Sequence, residues 1–310
     1  MNPQIPHLPE VQRALLDWHA GHGLHAPWRE SGDPYEVLVA AVMAQQTQMS
    51  RVMPAYERFM SAFPTLPDLA RATTADVIRA WAGMGYNQRA LRLHRAARTV
   101  AAEGWPRDAA SLERIDGIGP FTAAIIASFS FGQPAACVDT NVRRVLGRLA
   151  GDEGISPRAL QRLADAALAV EHPARWNQAV MDYGARVCLP RPKCGECVLA
   201  QFCIWREMHE GSALKVADAP RPAATKRARR PAPEPYEGSR RYFRGRAIDI
   251  LRALPRGDRI ALATLPARLA NGHAAPSPDD VRALIDGLVR DGLAAVHDTR
   301  GGPAVSLPED

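Results

Sequence analysis

Along most of this chain apolar residues return every three or four positions, the period of a helix with one buried face. Residues 8–27 read as one amphipathic helix followed by a loop, with Leu15, Leu16 and Trp18 as candidate core positions, and His25 to Arg29 lie in that loop. From Asp33-Pro34-Tyr35 a long apolar helix runs through Val37, Leu38, Val42 and Met43 and ends in Gln45-Gln46-Thr47-Gln48. Helical spacing recurs between Arg51 and Thr99, at Val52, Tyr56, Phe59, Met60 and Phe63 and again at Val77, Ile78 and Trp81. Pro54, Pro64, Pro67 and the turn Gly83-Met84-Gly85-Tyr86 divide it. A short helical run then reaches Gly117-Ile118-Gly119, an apolar helix follows from about Pro120 to Phe129, and Val138-Asp139-Thr140-Asn141 opens another. Residues 157–183 add two more. Strand-period alternation is not found in the first 210 residues, so this part is expected to be all-α.

The pattern changes at residues 214–239, where Pro220, Pro222, Pro231, Pro233 and Pro235 alternate with Lys226, Arg227, Arg229 and Arg230. That composition is expected of an extended, solvated linker. Helical period returns from Phe243 to Leu254, around Leu262 to Leu269, and from Pro278 to Leu293, the last with Val281, Leu284, Ile285, Leu288 and Val289 on one side. Residues 294–307, around Gly301-Gly302, read as a hairpin. Three helices and a hairpin suggest a winged helix, a module that binds DNA or protein. The expected organisation is thus a domain over 1–213, a linker over 214–239 and a winged-helix-like domain over 240–310.

At 310 residues and 46% hydrophobic, the chain can bury a sizeable core. Its net charge of +6 permits a polyanionic partner. No apolar run is long enough to span a bilayer, so no membrane association is expected. The N-terminus lacks a basic stretch ahead of an apolar one, which leads to an expectation of cytoplasmic residence, nucleoid-associated and of bacterial type. In that compartment five cysteines are not a disulfide framework.

Chemistry concentrates in two places. Glycines in Gly117-Ile118-Gly119 allow a tight turn and a close backbone approach. The amides opening the following helix can hold a phosphate without reading sequence. Asp139, twenty residues beyond Gly119, stands on another element, where it is either a helix N-cap or a carboxylate aimed at what that phosphate anchors. Further on, Cys188, Cys194, Cys197 and Cys203 give C-x5-C-x2-C-x5-C. Four thiolates can hold zinc or a [4Fe-4S] cluster. Zinc knuckles usually bring two C-x2-C pairs, and one compact loop with single flanking cysteines fits the cubane better. Arg186, Arg191 and Lys193 beside the first loop would then be offered to phosphates. Cys137 reads as core.

A hairpin, an aspartate in V-D-T-N and a four-cysteine loop, in this order and at these distances, resemble the helix-hairpin-helix DNA glycosylases with an iron–sulfur cluster, the endonuclease III and MutY families. The resemblance covers about residues 10–210. Asp33-Pro34-Tyr35, Val42-Met43, Gln45-Gln46-Thr47-Gln48 and Gly83-Met84-Gly85-Tyr86 bring it nearer to MutY, the adenine glycosylase that acts opposite 8-oxoguanine. The first cysteine gap is one residue shorter than the family's.

The resemblance implies a mainly α fold of two helical subdomains with a cleft, a [4Fe-4S] cofactor on the four cysteines, and a monomer that binds double-stranded DNA containing a lesion or mismatch. It implies that Asp139 is the catalytic carboxylate. Ala41, Ala44 and Phe121 would line the base pocket. Gln45 and Tyr86 would fill or wedge the helix near the vacated site. Gln46, Gly117, Gly119, Thr122, Asn141, Arg143, Arg144, Arg191 and Lys193 would contact DNA.

Departures from the pattern are informative. Endonuclease III enzymes carry a Schiff-base lysine where this chain has Phe121, so no lyase step is expected by that route. MutY enzymes carry a catalytic glutamate where this chain has Ala41; Glu36, five residues earlier, is expected to face solvent on another side of the helix. Residues 240–310 are too short for the nucleotide-hydrolase-like domain with which MutY proteins of the best-known type end. The reading is therefore a monofunctional DNA N-glycosylase of base excision repair. Its substrate is expected to be shifted from adenine toward uracil or thymine mispairs or a damaged or alkylated base. The alternatives are an adenine glycosylase acting opposite 8-oxoguanine, a non-catalytic lesion-binding protein, and a regulator that senses through its cluster.

Overall fold

The computed structural model describes residues 4–210 and 236–309. Helices follow one another in chain order: α1 (Leu8–His22), α2 (Pro27–Glu30), α3 (Pro34–Ala44), α4 (Met49–Ala62), α5 (Leu66–Arg71), α6 (Thr74–Ala80), α7 (Gln88–Glu103) and α8 (Ala109–Leu112). Then come α9 (Pro120–Phe131), α10 (Thr140–Leu149), α11 (Pro157–Ala167), α12 (Pro173–Arg186) and α13 (Ile204–Glu210), with two 3-10 turns at Cys194–Glu196 and Ala200–Phe202. The C-terminal part holds α14 (Arg240–Arg252), α15 (Leu265–Ala270), α16 (Pro278–Arg290) and strands β1 (Ile260–Ala261), β2 (Ala295–Thr299) and β3 (Gly302–Ser306). No strand occurs among the described residues before Glu210, and no helix among them is long and apolar enough to cross a membrane.

Local chemistry explains the starts. Thr65 and Asp68 close a reciprocal capping box at α5, and Thr73, Ser156, Ser239 and Ser277 each accept an amide hydrogen bond at the start of α6, α11, α14 and α16. Helix α3 is buried on every face from Val37 to Met43, which its unbroken apolar sequence requires.

The chain separates into two compact units, each made of two segments. One takes the residues up to Ala41 and resumes at Trp105. Its core gathers Val11, Leu15, Val142, Leu146, Trp176 and Tyr183. The other takes Val42–Gly104 together with the C-terminal residues. There Ala75, Ile78 and Leu91 belong to the same buried cluster as Ala247, Leu251 and Leu288. The expected separate module at 240–310 therefore shares its core with residues 42–104. The expected linker lies outside the described residues up to Pro235.

Other expectations change in detail. Pro27–Glu30 is a helical turn that buries Trp28, where a loop was expected, because proline pre-sets the first helical residue. Leu15 is fully buried, but Leu16 and Trp18 are only half-buried; Trp18 lies edge-on to Tyr183 at 4.9 Å and stacks on His22 at 5.3 Å. Val289 is exposed, since it lies just past the apolar stripe of α16. The hairpin gains a third strand: β1 pairs antiparallel with β3, Ile260 opposite Val305, giving the order β1-β3-β2. A two-residue strand leaves no alternation to read in the sequence.

Candidate active site

The hairpin forms as its sequence requires at one glycine but not at the other. Gly117 has φ +97°, a conformation that a side chain would strain. Gly119 is the extended N-cap of α9, and a Cβ added there would meet nothing within 4 Å. Among the described residues no backbone lies within 4 Å of that Cβ, contrary to the reading of both glycines as close-approach positions. Thr122, expected on DNA, is 1% exposed, because it lies on the inward face of an otherwise apolar helix.

Asp139 is delivered by an extended segment that the buried Asn177 and the exposed Gln161 hold in place. Asn177 Oδ1 accepts from the Cys137 amide at 3.0 Å, while its Nδ2 donates to Ser128 Oγ at 2.9 Å and to the Ala135 carbonyl at 2.8 Å. Gln161 Nε2 donates to the Ala136 carbonyl at 3.2 Å. Cys137 itself is core, as expected. Asp139 is then the N-cap of α10: Oδ1 accepts from the Val142 amide at 2.7 Å and Oδ2 from Asn141 Nδ2 at 3.0 Å. The structure bears out the cap reading. Burial raises the Asp139 pKa above its ordinary value, against the lowering effect of the Val142 and Asn141 donors and of the nearby Arg144 charge.

Arg144 corrects the expectation of a phosphate contact. Its guanidinium donates to Asn141 Oδ1 at 2.8 Å, to the Gly184 carbonyl at 2.6 Å and to the Cys188 carbonyl at 2.5 Å. It is engaged within the protein, tying the Asp139 element to α12 and to the cysteine loop. Asn141 is likewise turned inward. This approach depends on Gly184, where an added Cβ would lie 2.7 Å from Asn141 Cβ. Arg143 donates to the Ile155 carbonyl at 2.7 Å. Sequence reasoning missed Gly184, Asn177 and Gln161, whose roles depend on partners at least 25 residues away in the chain.

Cys188, Cys194, Cys197 and Cys203 line one open recess with Arg148 and Trp205. Arg148 donates to Cys188 Sγ at 3.6 Å and to the Leu189 carbonyl at 2.8 Å, is paired with Glu153 at 2.9 Å, and lies 4.7 Å over the Trp205 ring. The Tyr183 hydroxyl donates to Cys197 Sγ at 3.0 Å. Burial pushes the Cys203 thiol up to about 11, and its three sister cysteines push it the same way. The Trp205 indole N–H is buried without a hydrogen-bond partner among the described residues. A recess with four sulfurs and an unpaired N–H suits a sulfur-rich body, which is the chemistry of an iron–sulfur cluster. Among the described residues no three His, Cys, Asp or Glu side chains converge as a single-ion site requires. Arg191 and Lys193 are exposed on this loop, and Lys193 lies 3.9 Å from Glu196.

The other unit carries the remaining predicted DNA contacts. Gln45 is half-buried and Gln46 exposed. Tyr86 is 66% exposed. Gln46 and Tyr86 both have positive φ, +54° and +45°, unusual for residues with side chains. Arg89, which sequence reasoning missed, lies beneath both turns. It is buried, and it donates to the carbonyls of Met43 at 3.0 Å and Met84 at 3.0 Å and to that of Gln45. Its guanidinium also lies 5.6 Å from the Tyr86 ring centroid. Burial lowers its pKa. Of the expected pocket residues, Ala41 is buried and Ala44 and Phe121 are half-buried. Glu36 is partly exposed and accepts from Ser31 Oγ at 2.6 Å in an exposed hydrogen bond.

Comparison with known proteins places this geometry. Residues 39–168 match the model of the HhH-GPD superfamily of base excision DNA repair proteins. The chain is 37% identical over 250 residues to the adenine DNA glycosylase of Mycobacterium tuberculosis, covering 77% of each. It is 39% identical over 219 residues to the adenine DNA glycosylase of Homo sapiens, covering 65% of this chain and 40% of that protein. Among solved structures, a thermostable thymine-DNA glycosylase superposes with TM-score 0.61 at 27% identity, over 65% of this chain and 97% of that one. An endonuclease III trapped covalently on DNA shares the fold with TM-score 0.55 at 21% identity, over 65% of this chain and 98% of that one. A hairpin, a capped aspartate and a four-cysteine loop, in a chain with these relatives, make this protein a member of the helix-hairpin-helix family of base excision DNA glycosylases, on its MutY and endonuclease III side.

Proposed function

We propose that this chain is a monofunctional DNA N-glycosylase in which Asp139 is the catalytic carboxylate. The observation that carries the reading is the carboxylate itself. It is half-buried, fixed by the Val142 amide and the Asn141 side chain, and placed at the positive end of α10. Breaking an N-glycosidic bond leaves positive charge on the sugar ring. A fixed carboxylate beside C1′ stabilises that charge more than it stabilises the intact nucleotide. The base must leave the stack before reaction. The open approach at Gly119 and the amides of the first turn of α9 suit a DNA phosphate. Water then completes the substitution at C1′. Phe121 offers no amine for an imine, which supports hydrolysis without strand cleavage.

Ala41 supports a substrate whose base departs without an acid from that position: thymine or uracil mispaired with guanine, or a base already made electron-poor by damage. The likeness to a thymine-DNA glycosylase favours the first group. The second reading, adenine excision opposite 8-oxoguanine, is favoured by relatives 37–39% identical that are named adenine DNA glycosylases. The four cysteines would hold a [4Fe-4S] cluster, whose iron–thiolate bonds would fix the 188–203 loop and so present Arg191 and Lys193 to phosphates.

The test is a base-release assay on duplexes holding T·G, U·G, A·8-oxoguanine, hypoxanthine or an alkylated base, with and without alkaline work-up. Release from one of them, abolished by Asp139→Asn, is the expected result. Release of adenine as the dominant activity would overturn the substrate shift. Release from none, with tight lesion binding, would overturn the enzyme.

A further inference from the structure

The matched family model ends at residue 168, and residues 240–309 complete a unit with residues 42–104 without a part in the proposed reaction. We propose that this C-terminal domain is a brace for the turn that carries Tyr86, with Arg252 as the positioning residue. The inference rests on the reading of Tyr86 as the wedge that enters the duplex.

A wedge must hold a ring outward against the tendency of an apolar side chain to fold back. Tyr86 is exposed at 66% and held at φ +45°, a conformation that a bulky residue keeps only when its surroundings impose it. Those surroundings are polar ties on both sides of the residue. Before it, Arg51 donates to the Gly83 carbonyl, Arg89 to Met84, and Trp81 Nε1 to the Gly85 carbonyl at 3.1 Å. Further ties come from the C-terminal residues, to Asn87 and Gln88 just after Tyr86 and to Ile78 on α6 before it. Arg252 donates through one terminal nitrogen to Asn87 Oδ1 at 2.7 Å and through Nε to the Ile78 carbonyl at 2.8 Å. Gln88 Nε2 donates to the Asp291 carbonyl at 2.5 Å. Asn87 is also the N-cap of α7, so fixing its side chain fixes where the Tyr86 turn enters that helix.

The contact is a built one. Ile78 and Leu91 share a buried cluster with Ala247, Leu251 and Leu288, and Arg256 pairs with Asp76 at 3.0 Å. Arg252 is oriented by Asp249 at 2.9 Å on its own helix. The planar fork thus joins α14 to two points that flank Tyr86, and a methionine of similar length would keep the packing while losing both ties.

The experiment uses the full chain and a duplex holding a tetrahydrofuran abasic analogue with 2-aminopurine as its neighbour, so that ring insertion is read as fluorescence without base release. Wild type, Tyr86→Ala, Arg252→Met, Arg252→Lys and the Tyr86→Ala/Arg252→Met double variant are compared by stopped flow. Arg252→Met should slow the insertion phase roughly tenfold, since small misplacements of a positioned group have effects of that size. Overall duplex affinity should change by less than about threefold, and Arg252→Lys should recover part of the rate. The double variant should behave as Tyr86→Ala alone, because the arginine acts through the tyrosine. Hydrogen exchange at residues 84–88 of Arg252→Met should accelerate in the free protein. A wild-type insertion rate in Arg252→Met, or losses that multiply in the double variant, would overturn the brace. A signal unchanged by Tyr86→Ala would instead overturn the wedge reading and the brace with it.

Discussion

Replacing Arg144 by methionine tests whether the Asp139 element and the cysteine loop are one mechanical piece. The guanidinium makes three short hydrogen bonds, to Asn141 Oδ1 at 2.8 Å, the Gly184 carbonyl at 2.6 Å and the Cys188 carbonyl at 2.5 Å. Hydrogen bonds from a charged donor contribute about 1.5–3 kcal/mol each. The dehydration of a half-buried guanidinium offsets much of that sum, and burial indeed lowers the Arg144 pKa. The acceptors left behind are partly buried and recover water incompletely. The expected net destabilisation of Arg144→Met is therefore roughly 2–4 kcal/mol. A second effect follows from Asn141, which Arg144 holds on one side while it donates to Asp139 on the other. Freed to rotate, it leaves the carboxylate with the Val142 amide as its main restraint, and base release should slow by roughly 10- to 100-fold. Urea unfolding and single-turnover release measure the two losses separately. Arg144→Lys keeps the charge without the planar fork and should fall between. Unchanged stability together with an unchanged turnover rate in Arg144→Met would refute the reasoning.

Other expectations concern the site and its supports. In the proposed reaction Asp139 must be ionised, and its raised pKa means that it takes up a proton at higher pH than an ordinary aspartate. The acid limb of single-turnover release should lie above the usual carboxylate range and move further up in Asn141→Ala, while Asp139→Asn should lose at least about 10²–10³-fold with DNA binding retained. Ala41→Glu places an acid at the position where MutY enzymes have one, and should raise adenine release by roughly 10²-fold or more in the same assay. Burial alone would raise the Asp182 pKa, but His19, the Arg29 fork and the Leu24 amide hold it well below the usual carboxylate range. The stability it contributes is thus present above about pH 4 and lost as pH falls below it. Asp182→Asn should cost roughly 3–5 kcal/mol at neutral pH and flatten the acid side of a melting-temperature profile. Arg191→Ala should weaken binding to all duplexes alike and reduce the salt slope of log affinity by about one, read by anisotropy.

What the sequence determined by itself is the local part. Helical period placed most of the helices, because it depends on residues within a turn or two of one another. The hairpin, the aspartate and the cysteine spacing pointed to the glycosylase family for the same reason: their meaning lies in identity and order. Tertiary structure decided which charges are available. Arg144, Asn141 and Thr122 were expected on DNA from the resemblance, yet the fold turns the first two inward and buries the third. Arg89, Asn177 and Gly184 carried no local signal, since their partners stand far along the chain. Residues 240–309 read as a separate module because a linker composition precedes them. Only packing could place Leu251 and Leu288 in one core with Ile78 and Leu91. Periodicity states that a face is apolar, not which other face will cover it.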